Sequence, residues 1–508
     1  MGNPVLRFSS SFLSQSLPSS PSLRWVLAVV VLLHVLLSAV IGLSVDEAHY
    51  ALYAAHPAWS YFDHPPLVGW VQWPLVALDA PVVVLRLIPG LLWLATVLVA
   101  YRIAEILRVG AGAGALLSLL LAPLLHVLAI GLLPDTLLVF FSAALMYQTL
   151  LLMHSDAQQL WRHWLVLGVL LGLAGLSKYT AIFTAVAVAA CLMRSQGWQV
   201  LRSAKLWVSV TMALVLVLPV AYWNAQNQWI SFTYQAKHGA GGSWEALHVA
   251  RFLVVQMLAY GALLWWGWSG VRSLPSGELR WLLGFFLIPF AVFAALSGGG
   301  SGLPHWTAPA WVALAPFAGV GLVQALQGAQ RRWVIGVMCV QALLCIALPL
   351  AMASGGMPFM EGHVASVQSS DPPNPFADVH GWDVAGATAL QLAQAQGLDS
   401  VSVQNWTLGS RIGWYARPLK VHVLEDRFDQ FDLWAGDLPA GGSTLLVDWS
   451  HMSYEVPLGE HGFAQCTPLA QQKVRKLGYA LAEFRFFACT GWSGLPRPSL
   501  RHDNGGQP

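Results

Sequence analysis

Acidic and histidine side chains are concentrated in one short stretch near the beginning of the chain. The stretch LSVDEAHYALYAAHPAWSYFDHPPLVGW, residues 43–70, follows directly on a long apolar run. Its acids and histidines are Asp46, Glu47, Asp63, His49, His56 and His64. A carboxylate can take a proton from a hydroxyl or an amine, and an imidazole can be a cation, a hydrogen-bond donor or a metal ligand. Because ionisable groups at membrane level are costly, the pattern favours a functional site at the end of a membrane span.

The two acids that open this stretch each have a structural alternative. Asp46 is a candidate general base, but SVDEAHYAL is also typical of a helix start that is capped by Ser44 or Asp46. Glu47 can cap the same helix, position an acceptor or bind a metal. The residue types alone leave these alternatives open.

Polar candidates also occur at three later positions in the chain. Asp63 and His64 precede two prolines, which disfavour a helix and fix an extended turn, and this turn can carry a site or be an ordinary loop. Asp135 follows a proline at the start of an apolar run, where an acid also favours a helix N-terminus. Lys178 and Tyr179 lie between two short apolar runs; the lysine can contact a phosphate or anchor the chain at the membrane surface.

The first stretch also offers oxygen and imidazole ligands for a metal. The metal candidates are Glu47, His49, Asp63 and His64, with Asp46 close to them. No spacing among them resembles a recognised zinc signature. The cofactor requirement therefore stays open, with a divalent cation as one alternative.

The composition indicates a polytopic membrane protein. The chain has 508 residues, of which 56% are hydrophobic and only 10% are charged, whereas soluble proteins carry about 25% charged residues. Many apolar runs approach or exceed the roughly 20 residues that cross a bilayer. The net charge of +2 gives no reason to expect a nucleic-acid partner.

The apolar runs predict about eleven α-helical spans, within a range of 10 to 13, and they divide the chain into three parts. The runs lie near 24–43, 81–101, 112–132, 136–153, 163–177, 180–193, 206–223, 249–270, 281–297, 306–325 and 333–353. Residues 1–23 are Ser- and Pro-rich and are predicted to be a disordered cytoplasmic segment. Residues 24–354 form the predicted transmembrane domain, with a first outer loop at 44–80. Residues 355–508 are predicted to form a small α/β domain outside the cytoplasm.

The distribution of lysine and arginine predicts the orientation. If the N-terminus is cytoplasmic, twelve basic residues fall inside: Arg7, Arg24, Arg102, Arg108, Arg162, Arg194, Arg202, Lys205, Arg272, Arg280, Arg331 and Arg332. Only four precede residue 354 on the outside: Arg86, Lys178, Lys237 and Arg251. This bias follows the positive-inside rule and predicts an extracytoplasmic tail.

The C-terminal part has the patterns of a mixed α/β domain. AGATALQLAQAQGL has helical character, and SVSVQ, LKVHVLE, STLLVDW and EFRFFACT are typical of strands. Cys466 and Cys489 both fall in this part, where an oxidising compartment allows a disulfide.

Several motifs together resemble a known family. A first apolar run followed by an acidic pair, then YFDHPP, PDT, LSKYT, WNAQNQW and PHWTAPAW, resembles the bacterial GT-C glycosyltransferases. The similarity is closest to the family 39 group, which includes protein O-mannosyltransferases and the 4-amino-4-deoxy-L-arabinose lipid A transferase. It covers about residues 24–325 and the plan of an outer C-terminal domain.

The resemblance implies a GT-C fold and a transfer reaction at the outer face of a bacterial inner membrane. A sugar would pass from a polyprenyl-phosphate donor, such as an undecaprenyl phosphate sugar, to lipid A, another glycolipid, a polysaccharide or a protein. The transfer would be a single inverting displacement, with the base opposite the leaving group.

The resemblance also assigns roles to particular residues. The family's catalytic acid matches Asp46, and a second acid matches Asp135. The acid–Lys–Pro–Pro element of the arabinose transferase matches residues 63–66. His64 stands where that relative has lysine, so a positive charge facing phosphate is not implied there.

Other polar residues and other function classes complete the set of hypotheses. The weaker candidates for phosphate or substrate binding are Lys237, His238, His305 and Arg411.

A transporter or flippase of a lipid-linked substrate is the alternative function. It would favour charges near the bilayer midplane and a repeated block, neither of which the sequence contains. A non-catalytic scaffold would leave the clustered outer acids unexplained.

Overall fold

The apolar runs fold into a large helical bundle, which is followed by a small sheet domain. The computed structural model describes residues 18, 20–275, 277–356, 374, 376–452 and 454–498. Most of the predicted disordered segment, residues 1–17 and 19, lies outside the described residues. The fold class predicted from the sequence, a polytopic helical protein with a C-terminal α/β domain, is confirmed.

Each of the eleven apolar runs forms helix. The helices up to residue 354 are α1 (Pro21–Ser38), α2 (Val45–Ala55), α3 (Leu67–Ala77), α4 (Val82–Leu85), α5 (Leu87–Leu107), α6 (Gly112–Leu120), α7 (Pro123–Ile130), α8 (Pro134–Leu152), α9 (Ser155–Gln159), α10 (Trp161–Ser177), α11 (Ala181–Gln196), α12 (Ala204–Gln226), α13 (Ile230–Ala240), α14 (Ala246–Tyr260), α15 (Leu263–Ser273), α16 (Gly284–Leu296), α17 (Ala308–Gln327) and α18 (Arg331–Ser354). Within the described residues, eight helices are long and apolar enough to cross a membrane, or up to ten if each of two bent pairs is one span. The run at 163–177 becomes α10, a shorter apolar helix of 17 residues.

The two bent pairs have local causes. Helices α6 and α7 meet at 78°, where Pro123 begins the second helix, and proline cannot donate the backbone hydrogen bond that would continue the first. Helices α14 and α15 meet at 84° at Gly261, whose positive φ of 64° is readily adopted only by glycine. The side chain of Gln341 from α18 donates from Nε2 to the Leu121 carbonyl at 3.1 Å and contacts Gly261. One side chain thus satisfies a backbone carbonyl at the first break and packs against the second.

Two short helices follow α1 within the loop predicted at residues 44–80. Helix α2 begins with a capping box, because the Ser44 hydroxyl accepts from the Glu47 N–H at 3.4 Å while the Glu47 carboxylate accepts from the Ser44 N–H at 3.1 Å. Ser44, not Asp46, is therefore the N-cap, which leaves the Asp46 carboxylate available. Helix α3 begins directly after the two prolines of the 63–66 turn.

The C-terminal domain is a five-stranded mixed sheet with helices. Its helices are α19 (Trp382–Gln396), α20 (Trp406–Tyr415) and α21 (Gln430–Trp434), and its strands are β1 (Ser400–Val403), β2 (Lys420–Val423), β3 (Thr444–Trp449), β4 (Phe463–Lys476) and β5 (Tyr479–Trp492). The strand order is β2-β1-β3-β5-β4, with β1 parallel to β2 and β3, and β5 antiparallel to β3 and β4. The predicted disulfide is present and joins paired residues Cys466 and Cys489 of β4 and β5.

Helix α2 lies between the bundle and the sheet domain. Tyr50 and Tyr53 pack into the core of the bundle. Ala51 and Leu52, on the other side of the helix, pack into a second core that is built mainly by the sheet domain. The helix that carries Asp46 is therefore held by both parts of the molecule.

Candidate active site

Asp46 projects from the first turn of α2 without a pairing partner. Among the described residues its carboxylate makes no hydrogen bond and no ion pair. Its nearest charged neighbours include the carboxylates of Asp63 and Asp135 and the ammonium group of Lys178. Burial, and then these two carboxylates, raise the pKa of Asp46 to about 6. An unpaired carboxylate with a pKa near the working pH has the properties of a general base.

The Asp63 carboxylate is held by two side chains from α2. The Tyr53 hydroxyl donates a hydrogen bond to Asp63 Oδ1. His49 Nε2 lies 4.0 Å from the same oxygen. Burial alone would raise the pKa of Asp63, but the neighbouring histidines and the Tyr53 hydroxyl outweigh it and lower the pKa below its usual value. Asp63 is therefore ionised when Asp46 titrates.

The backbone of the 61–64 turn is fixed from two sides. On one side, α13 contributes two bonds: the Ser231 hydroxyl donates to the Tyr61 carbonyl at 2.9 Å, and Gln235 Nε2 donates to the Asp63 carbonyl at 2.5 Å. On the other side, Gln430 Oε1 of the sheet domain accepts from the Phe62 N–H at 2.8 Å. The turn predicted from the two prolines is thus also fixed by two distant helices.

His64 is a neutral side chain in this site. Burial lowers its pKa to about 4, although Asp63 acts in the opposite direction. Its Nδ1 atom is buried and has no hydrogen-bond partner among the described residues. At neutral pH the side chain can therefore offer a hydrogen bond, but not a positive charge.

Asp135 and Lys178 form a buried ion pair. The Lys178 ammonium group lies 2.7 Å from both carboxylate oxygens of Asp135, and His305 Nε2 lies 3.8 Å from Oδ2. Lys178 also lies 5.6 Å from the centre of the Trp306 ring. The structure thus brings together three candidates that the sequence placed in separate outer loops.

Glu47 forms a second buried ion pair beside the site. Arg86 donates to the two Glu47 carboxylate oxygens at 2.8 and 2.9 Å. The same guanidinium donates to the backbone carbonyls of Ser38, Ile41 and Gly42. This geometry engages both Glu47 oxygens in fixing the start of α2 against the end of α1.

The remaining candidates, Tyr179, Lys237, His238 and Arg411, have different surroundings. Tyr179 packs against Phe232, with ring centres 5.1 Å apart. Lys237 is exposed, and the side chain of His238 lies outside the described residues. Arg411 is fully buried in the sheet domain, where it pairs with Asp378 and stacks between two tryptophans. The charges of this pair act on Asp46.

The metal candidates do not converge into a ligand set. Within the part of the chain that the structure describes, no group of three or more His, Cys, Asp or Glu side chains is placed to hold a metal ion. Both carboxylate oxygens of Glu47 accept from Arg86, and His49 Nδ1 lies 3.0 Å from Ser410 Oγ. These atoms of Glu47 and His49 are therefore already bonded within the protein.

Sequence reasoning missed the residues that hold the site together. Arg86 carried one usable signal, because it is one of four basic residues placed outside before residue 354 and is surrounded by apolar neighbours in VVVLRLIPG. Gln235, Gln430 and Ser410 gave no local signal, since their roles arise only from contacts across the fold.

Comparisons with known proteins find a matching family model and a curated relative. Residues 63–223 match the family model for dolichyl-phosphate-mannose-protein mannosyltransferase. The lipid A galacturonosyltransferase RgtD of Rhizobium johnstonii is 23% identical over 328 residues, which cover 60% of this chain. The chain spans 65% of the length of that curated relative.

The fold is similar to that of a solved membrane protein. The crystal structure of ArnT from Cupriavidus metallidurans bound to undecaprenyl phosphate superposes with a TM-score of 0.62 at 17% identity, over 92% of this chain and 98% of that chain. The apo form of the same protein gives a TM-score of 0.60 at 18% identity, over 94% and 100% of the two chains. The predicted resemblance is thereby confirmed at the level of fold.

Proposed function

We propose that this chain, which has the GT-C fold of ArnT, is a membrane glycosyltransferase that uses a polyprenyl-phosphate-linked sugar. The observation that carries the proposal is the unpaired Asp46 carboxylate, with its pKa raised to about 6, beside the Asp135–Lys178 pair. The matches to a protein mannosyltransferase family and to a lipid A galacturonosyltransferase support the reaction class. The undecaprenyl phosphate bound to ArnT supports the class of donor.

Asp46 acts as the general base of a single inverting displacement. Its carboxylate takes the proton from the acceptor hydroxyl or amine as that oxygen or nitrogen bonds to the anomeric carbon. The bond from this carbon to the phosphate oxygen breaks, and the lipid phosphate leaves with the bonding electrons. A base within reach of the acceptor contributes about 10²- to 10⁴-fold to the rate.

Side chains around Asp46 serve the phosphate and the sugar. The Lys178 ammonium group favours the negative charge that develops on the departing phosphate. The unpartnered Nδ1 of His64 can hydrogen-bond to a sugar or phosphate group as a neutral imidazole. Asp135 holds Lys178 in place. The candidates for substrate contacts are Tyr179, His305, Lys237, His238 and Arg411.

The reaction takes place at the outer face of the bacterial inner membrane. The positive-inside bias supports a cytoplasmic N-terminus and a periplasmic sheet domain. The outer-face acceptor is a glycolipid such as lipid A, a polysaccharide or a protein. Lipid A is the first acceptor to test, because the curated relative acts on lipid A by name.

Replacement of Asp46 tests this function directly. A deletion strain is complemented with the wild type, with Asp46→Asn, or with Asp79→Asn as a matched control that removes an exposed carboxylate of the same outer loop. Mass spectrometry of lipid A, surface polysaccharides and glycoproteins then shows which molecule gains a sugar. We expect the modification with the wild type and Asp79→Asn and its loss with Asp46→Asn. Equal modification by wild type and Asp46→Asn would exclude the proposed base.

A further inference from the structure

His49 is enclosed at the boundary between the bundle and the sheet domain. It lies one helical turn after Asp46 on α2 and is only 5% exposed. Five aromatic rings surround it, with centres 5.2 to 6.0 Å from its own: Tyr50, Tyr53, Trp406, Phe431 and Trp434. The last three belong to the sheet domain, which therefore builds more than half of this enclosure.

A serine of the sheet domain fixes the hydrogen on the imidazole. The Ser410 hydroxyl donates its only proton to the Trp406 carbonyl at 2.8 Å. It can therefore only accept from His49 Nδ1, which lies 3.0 Å from Ser410 Oγ. In the neutral imidazole the hydrogen is then on Nδ1, and the free lone pair is on Nε2.

That lone pair is directed at Asp63. His49 Nε2 lies 4.0 Å from Asp63 Oδ1, the oxygen that also accepts from the Tyr53 hydroxyl. The next proton that the pair takes up therefore binds at Nε2, where it creates a positive charge between Asp63 and the start of α2. The titratable groups near this pair are Tyr50 and Tyr53 of α2, His64 and Asp46 beside Asp63, and Tyr234 of α13. From the sheet domain, Arg427 lies 5.9 Å from the centre of the Trp406 ring.

We propose that His49 is a positioning residue for Asp63 and that the sheet domain, through Ser410, sets the tautomer and thereby the charge of the His49–Asp63 pair. The inference rests on the proposed function in one respect, since Asp46 is the base that this charge influences. Burial lowers the pKa of His49, whereas Asp63 acts in the opposite direction. When His49 takes up a proton, its charge offsets that of Asp63, which otherwise raises the pKa of Asp46, so protonation of His49 favours an ionised Asp46. The sheet domain then contributes to the chemistry.

Removal of the serine hydroxyl stabilises the neutral form of His49 and destabilises the protonated form. In Ser410→Ala the neutral imidazole can move its hydrogen to Nε2, where the N–H faces the Asp63 carboxylate at 4.0 Å, and this electrostatic attraction stabilises the neutral form. The protonated form loses its acceptor at Nδ1. Both changes lower the proton affinity, and the loss of one hydrogen bond of this kind corresponds to a shift of about one pH unit.

Hydrogen–deuterium exchange at the imidazole C2 atom measures this change in the proton affinity of His49 without any transfer assay. The purified full-length protein in detergent is incubated in D₂O over a pH series, and deuteration at imidazole C2 is read by mass spectrometry. The control is Ser402→Ala, which removes a buried hydroxyl of the same domain that bonds Thr444. We expect the midpoint of His49 to fall by about one pH unit in Ser410→Ala and to be unchanged in Ser402→Ala. An unchanged midpoint in Ser410→Ala overturns the inference.

The pH profile of transfer gives the second readout. With less positive charge near Asp46, the acid limb of kcat/KM moves to higher pH in Ser410→Ala, while the rates near pH 8 approach those of the wild type. A uniform fall at every pH, shared with Ser402→Ala, would indicate a structural role only and would also overturn the inference. If the wild type transfers no sugar, the proposed function fails, whereas the exchange experiment still decides the role of His49.

Discussion

At the scale of single residues, the proposed role of Asp46 as general base depends on its ionisation. Burial and the neighbouring carboxylates raise its pKa to about 6, and only the ionised form can accept a proton. We expect kcat/KM to fall about tenfold per pH unit below pH 6 and to be level just above it. The measurement is a pH series of transfer with purified protein and a lipid-phosphate sugar donor.

The residual activity of Asp46→Asn provides the control for this profile. Its acid limb should be absent or displaced, because the titrating base has been removed. A wild-type profile without a limb between pH 5 and 7 would contradict the role given to Asp46.

At this scale, the residues of the site could be predicted from the sequence, but not all of their contacts. The motifs selected Asp46, Asp63, Asp135 and Lys178, and the fold brings all four together. The sequence could not predict that Lys178 pairs with Asp135, because 43 residues separate them in the chain. Their pairing also means that neither charge is isolated at membrane depth, where an unpaired charge is costly.

At the scale of elements, the position of α2 depends on the Glu47–Arg86 pair. The guanidinium makes two bonds to Glu47 and three to carbonyls at the end of α1. Lysine cannot reproduce this planar set of donors. We expect Arg86→Lys to destabilise the protein by about 2 kcal/mol and to reduce transfer, since α2 carries Asp46. Thermal unfolding in detergent and the transfer assay measure the two effects.

Arg108→Lys is the matched control, because Arg108 is exposed at the end of α5. It should leave the unfolding temperature and the transfer rate close to those of the wild type. If Arg86→Lys behaved in the same way, the pair would not determine the position of α2.

The helices were predictable where a local pattern determined them. Apolar runs marked every span, and the Ser-x-x-Glu spacing of residues 44–47 produced the capping box of α2. The breaks in the two bent pairs were harder to predict from the sequence. Gln341, from a distant helix, bonds to the Leu121 carbonyl at one break and packs against Gly261 at the other. Strand β4 was not predicted, because this edge strand, Phe463–Lys476, is largely polar and half exposed and lacks a continuous apolar pattern.

At the scale of the whole molecule, the sheet domain lies against the segment that follows the C-terminal end of α1. The Gly42 N–H donates to the Val379 carbonyl at 2.7 Å, and Lys476 Nζ donates to the Val40 carbonyl at 2.9 Å. The same domain supplies Gln430 to the Asp63 turn and Ser410 to His49. Composition could locate this domain in the sequence, but it could not predict its contacts, because these depend on how two separately patterned parts pack.

This arrangement leads to a prediction about orientation. Since the sheet domain is placed with Asp46, the proposed reaction requires both to lie on the side of the membrane where the lipid-linked donor meets the acceptor. We expect alkaline phosphatase fused after Gly355, at the end of α18, to be active, because this enzyme folds only outside the cytoplasm. The same reporter fused after Gly328, between α17 and α18, should be inactive, and a fluorescent protein that folds only inside should give the opposite pattern. Since one helix separates the two fusion sites, equal activity at both would contradict α18 as a span. A reversed pattern would place Asp46 on the cytoplasmic side and would exclude transfer at the outer face.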